Sequence, residues 1–236
     1  MFFPIRDDQP RFSTPLVNYF IIGLNIAVYI LVEVPAQFQG PRAFAFLIAQ
    51  FGLIPHDLTR ALAGQPQYPV GANLLTIVTS MFLHGDLFHI LGNMWILWIF
   101  GDNVEDQIGH FSYLIFYLIC GIVAAFTDMA LSPSSQVPLI GASGAIAGVM
   151  GAYFLLYPRA KVLTWVFFIF FWWLPAWIWL GIWFLGQFRT TALLATGVYH
   201  QTGGIAVAAH TGGFIAGLLL IKLFPQRQRR QRYASW

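Results

Sequence analysis

Four polar residues set in apolar surroundings carry the chemical content of this chain. Ser143 stands in PLIGASGAIAGVMGAYFLLYP, His210 in IAVAAHTGGFIAG, and a second histidine with an amide, His89 and Asn93, in FLHGDLFHILGN. A serine hydroxyl is a poor nucleophile until a neighbouring base accepts its proton, and an imidazole is the usual base. A further imidazole and an amide can donate hydrogen bonds to the oxyanion that an attacked carbonyl develops. Each residue alone has a simpler explanation. A membrane serine back-bonds to its own helix, a histidine is structural or handles protons, and an asparagine joins two helices. Only their convergence would make a site.

The elements that must position them are membrane helices. Of 236 residues, 58% are hydrophobic and 9% charged, too few charges to cover a water-soluble domain. A hydrocarbon core about 30 Å thick needs roughly 20 apolar residues per helix. Six segments fit, at about 16 to 34, 77 to 100, 111 to 130, 139 to 157, 162 to 185 and 203 to 224. The expected fold is therefore an all-α membrane protein, a six-transmembrane-helix bundle forming one domain over residues 1–236. The connector 35–76 is expected to form short helices in the membrane interface, and 225–236 a basic tail. The first segment contains Asn18 and Asn25 and ends at Glu33 without a small-residue cleavage site, so it is expected to stay as a helix.

Counting at 100° per residue puts Gly141, Gly144, Gly148 and Gly151 within an arc of about 80°, with Ser143 beside it. The same count places Gly203, Ala206, His210, Gly213 and Gly217 on one arc of the last segment. Two small-residue faces let helices approach closely. Ser143 and His210 each lie 14 residues before the end of their segment, roughly 21 Å above that boundary at 1.5 Å per residue, and His89 lies at roughly 18 Å. His89 and Asn93, one turn apart, share a face. The four groups therefore converge on one depth from three helices, as a nucleophile, a base and oxyanion donors require.

These three stretches, GASGAIAGVMGAYFLLYP, AHTGGFIAG and FLHGDLFHILGN, resemble the signature regions of the rhomboid family of intramembrane serine proteases, in the family's order. The resemblance implies a Ser143–His210 dyad, with His89, Asn93 and the Ser143 backbone N–H as oxyanion donors and His84 as the upstream histidine of that region. It implies no cofactor or metal, transmembrane proteins as substrates, and a fifth helix, in VFFIFFWWLPAWIWL, acting as a side gate. Two departures are visible. A Trp-Arg pair common ahead of the second helix is replaced by NLLTIVTS. The aromatic residue that in some members stacks on the histidine is Ala147 here, so the imidazole is expected to be held mainly by packing.

Other classes fit less well. A proton-coupled transporter or channel would also use membrane histidines, but no inverted repeat is visible, and Asp86, Asp128 and Glu33 lie toward segment ends. There is no HExxH for a zinc protease, and the single Cys120 excludes a cysteine-based metal site or a disulfide framework. The net charge of +3 reflects Arg227, Arg229, Arg230 and Arg232, which suit anionic lipid headgroups in the bilayer and need no nucleic acid. With the N-terminus inside, nine basic residues lie inside against three outside, which favours two cytoplasmic termini, in a multi-pass protein of a prokaryotic plasma membrane.

Overall fold

Apolar backbone must satisfy its own hydrogen bonds in a bilayer, and the chain does so mostly by winding into helices. The computed structural model describes residues 2–167, 169–196 and 206–227. The elements run β1 (Phe2–Asp7), α1 (Leu16–Val28), a π-helical turn (Tyr29–Glu33), α2 (Val34–Gln39), α3 (Pro41–Phe51), α4 (Pro55–Leu62) and α5 (Val70–Thr79). They continue with α6 (Leu87–Ile108), α7 (His110–Leu131), α8 (Ser143–Leu156), β2 (Lys161–Val166), β3 (Phe170–Pro175), α9 (Ala176–Ala195) and α10 (Val207–Leu220).

Two continuous helical stretches among the described residues, Leu16–Gln39 and His110–Leu131, are long and apolar enough to cross a membrane. The expected second segment is a bent pair, Val70–Phe82 and Leu87–Ile108, meeting at 80°. Gly85 and Asp86 lie at the break, and Asp86 restarts the helix by accepting the His89 backbone N–H at 2.9 Å. Ser143–Leu156 and Val207–Leu223 are shorter apolar helices.

The all-α expectation is corrected by a three-stranded antiparallel sheet of order β1-β2-β3. β2 and β3 pair antiparallel where a fifth helix was expected to begin, and that helix starts only at Ala176, after Pro175. Proline suits this boundary because its fixed φ and missing N–H cost nothing ahead of a first helical turn. The sheet sits at the end of the bundle opposite Ser143. Tyr153, near the end of α8, donates its hydroxyl to Asp7 of β1, and Asn103 of α6 donates to the same carboxyl oxygen at 3.1 Å. Phe170, Phe171 and Trp172 of β3 are exposed, the pattern of an aromatic membrane-interface belt.

Backbone approach of α8 to α10 forms the centre of the molecule. A methyl built on Gly213 would fall on the carbonyl oxygen of Gly144, and one on Gly217 would fall on that of Gly148. A third helix closes on this pair: a methyl on Gly148 would strike Cys120 of α7, and one on Gly212 would strike Thr127. Gly141 does not belong to the groove. It precedes α8 at φ +118°, a conformation that glycine adopts freely. Gly203 lies outside the described residues.

The N-terminal helix is tied to α6 by polar groups that bury completely. Glu105 accepts the backbone N–H groups of Val17 and Asn18 at 2.9 and 2.6 Å, capping the start of α1. Asn18 accepts the Tyr113 hydroxyl at 2.8 Å and donates to the Leu97 carbonyl at 3.2 Å. Arg227 departs from its expected lipid-facing role. Its backbone N–H donates to Gln107, and its guanidinium stands 4.0 Å from Asp106. Arg229, Arg230 and Arg232 lie outside the described residues.

Candidate active site

Ser143 is the first residue of α8, and His210 sits in the first turn of α10. Glycines hold these two helix starts together. The His210 Nε2 and Ser143 Oγ are 2.8 Å apart, and both residues remain partly exposed. At that distance the hydroxyl can donate directly to the imidazole.

The other face of the imidazole is occupied. Gln187 Oε1 of α9 lies 3.1 Å from His210 Nδ1, and the Trp183 ring lies 5.8 Å from the imidazole, tilted by 38°. Ala147 is fully buried in α8. The ring is therefore held by a polar contact and an aromatic neighbour from α9, beyond the plain packing that the sequence suggested. Neither residue was singled out from sequence. The available signal was a lone amide, Gln187, in WFLGQFRTT, one turn from Trp183 on one side and from Thr191 on the other.

His89 and Asn93 face the serine from α6. The Gly85 backbone N–H points at His89 Nδ1 at 3.4 Å, so Nδ1 serves as acceptor and Nε2 carries the proton. A methyl built on Gly141 would lie 2.7 Å from this Nε2 and 3.6 Å from Asn93 Nδ2. Only glycine lets the segment before the serine come so near these two nitrogens. Asn93 is 8% exposed, and its Nδ2 makes no hydrogen bond among the described residues, so it is free to donate. His84 is fully buried with its ring 5.1 Å from that of His89, and its backbone N–H donates to Glu33 at 2.8 Å. The Glu33 carboxylate, placed by its segment at an end, thus reaches the interior and fixes the approach to α6.

Asp128 of α7 is buried beside the first turn of α10, with its carboxylate near the Ala209 backbone N–H. The four groups line one cavity of about 530 Å³, bordered by Asp86, Phe88, Trp183 and Gln187. Phe88 at its rim is 84% exposed.

Comparison with known proteins agrees with this architecture. The Rhomboid domain family matches residues 71–227. Rhomboid protein 1, mitochondrial, of Saccharomyces cerevisiae is 28% identical over 221 residues, covering 91% of this chain and 56% of its own length. The human presenilin-associated rhomboid-like protein, mitochondrial, is 25% identical over 209 residues, covering 84% of this chain and 45% of its own. Rhomboid protease GluP of Bacillus subtilis is 30% identical over 143 residues, covering 61% of this chain and 24% of its own. The chain thus spans about half the length of the yeast and human proteins or less. The yeast and vertebrate relatives are named as mitochondrial, which corrects the expected placement in a prokaryotic plasma membrane with cytoplasmic termini. With its family match over residues 71–227 and its signature stretches gathered around one cavity, this chain belongs to the rhomboid family.

Proposed function

We propose that this protein is an intramembrane serine protease that hydrolyses peptide bonds in or beside transmembrane segments, within a six-helix membrane domain. The observation that carries the reading is the 2.8 Å separation of Ser143 Oγ and His210 Nε2 at the wall of an open cavity. His210 takes the hydroxyl proton as Oγ bonds to the carbonyl carbon, and the imidazolium then protonates the leaving amine. His89 Nε2–H, Asn93 Nδ2 and the Ser143 backbone N–H, exposed at the start of α8, donate to the oxyanion. Water then repeats the cycle on the acyl-enzyme and frees Ser143. A proton-coupled transporter gains no support from a serine set directly on a histidine.

Labelling with a fluorophosphonate, comparing wild type with Ser143→Ala in detergent and in liposomes, tests the nucleophile without knowledge of a substrate. Label on the wild type alone supports the reading. No label on folded wild type, or equal label on both, overturns it.

A further inference from the structure

We infer that Gln187 is a positioning residue for His210, a third member that sets the tautomer and orientation of the imidazole; this rests on the protease reading above. Along α9, Trp183, Gln187 and Thr191 recur every four residues and form one stripe toward α10. Trp183 lies beside the His210 ring at a tilt of 38°, Gln187 reaches Nδ1, and Thr191 meets the Thr211 hydroxyl at 2.8 Å and the Val207 carbonyl at 3.0 Å. Around this stripe α9 exposes Trp177, Ile182, Leu185 and Phe188. An amide in such a helix is costly without a partner, and its partner is the imidazole.

The direction of the bond follows from what the serine needs. With Oε1 toward Nδ1, the ring nitrogen donates, the proton stays on Nδ1, and the Nε2 lone pair faces Ser143. An amide turned the other way would donate to Nδ1 and put the proton on Nε2, leaving no base. When Nε2 takes the serine proton, the ring becomes a cation, and the Oε1 dipole stabilises it without bringing a second full charge into the membrane. Among the described residues, no other side chain stands within hydrogen-bond distance of Nδ1. α8 offers Ser143, which is on Nε2, α6 offers His89 across the cavity, and the buried Asp128 of α7 makes no hydrogen bond to the imidazole. Gln187 is therefore the side chain placed to accept from Nδ1.

Gln187→Leu and Gln187→Glu, in the full chain with a transmembrane substrate in liposomes, separate orientation from mere packing. Leucine keeps the volume and removes the acceptor. We expect kcat to fall about 10- to 100-fold with KM changed by less than about twofold, since a hydrogen bond to a charged group is lost. Glutamate can only accept, and its charge favours the imidazolium. The acidic limb of the kcat profile should then move up by about one pH unit or more. A Gln187→Leu protein with wild-type kcat overturns the inference, as does a Gln187→Glu profile whose acidic limb does not move. If the leucine variant fails to fold, the glutamate profile decides. Fluorophosphonate labelling of Ser143 in the wild type is the control: without it the protease reading falls and the orienting role with it, whereas with it only Gln187 is at stake.

Discussion

The Cα of Gly213 lies against the carbonyl oxygen of Gly144, one residue from the serine on one helix and three from the histidine on the other. The distance between Ser143 and His210 is thus set by direct backbone contact. Gly213→Leu should lower the thermal midpoint and remove activity together, because α10 must move outward and carry His210 away. A folded, active variant with an unchanged midpoint would show that α10 docks by another face.

Truncation of the polar groups should rank them. Ser143→Ala and His210→Ala should each abolish cleavage while the folded fraction in detergent stays unchanged, since both remove a reactive group and add no bulk. Asn93→Ala should cost about 10² to 10³ in kcat, the usual loss for one oxyanion donor when others remain. If Asn93→Ala were as inactive as Ser143→Ala, its role would be in folding.

Asp7 predicts a pH dependence of stability. Burial raises its pKa from 3.8 to about 7, against the lowering effect of the Tyr153 hydroxyl, and Asp102 and Asp8 add like charge. The folded state holds this proton more tightly than the unfolded chain. Its contribution is therefore full below about pH 4 and is lost as pH rises toward about 7. Asp7→Asn keeps an acceptor for Tyr153 and Asn103 and cannot ionise. Its thermal midpoint should match wild type near pH 4 and exceed it near pH 8. Parallel curves from pH 4 to pH 8 would refute the assignment.

Substrate choice follows from the cavity. A helical peptide bond has its carbonyl engaged within the helix, so on the protease proposal a segment has to unwind before Ser143 could attack it. Two single-pass substrates, identical except for two helix-breaking residues at the level of Ser143, should differ in cleavage rate, the broken helix being faster. Equal rates would reject the unwinding step and leave the dyad untouched.

Much of this arrangement could be read before any coordinates. Glycines at 144, 148, 213 and 217 carry their meaning in their spacing, and the equal depth of Ser143 and His210 comes from counting to the helix ends. The hairpin could not be read in this way. Residues 161–175 are a nearly unbroken apolar run, and such a run does not alternate as a half-exposed strand does, so it looks like a membrane helix. Its β-branched and aromatic content and Pro175 are the features of that run that suit strands. Gln187 escaped for another reason. Its partner lies across a helix interface, and spacing along one helix says nothing about which neighbour a lone amide meets.

The strand pairing has a consequence for biosynthesis. Phe2 pairs with Val166, so β1 has no partner until residues 161–166 have emerged. Through that interval β1 is an open edge, available to chaperones or to a second nascent chain. Closing the sheet comes late and joins β1 to the base of α9. A ribosome-stalled chain ending before residue 160 should therefore leave β1 sensitive to protease, and release past the hairpin should protect it.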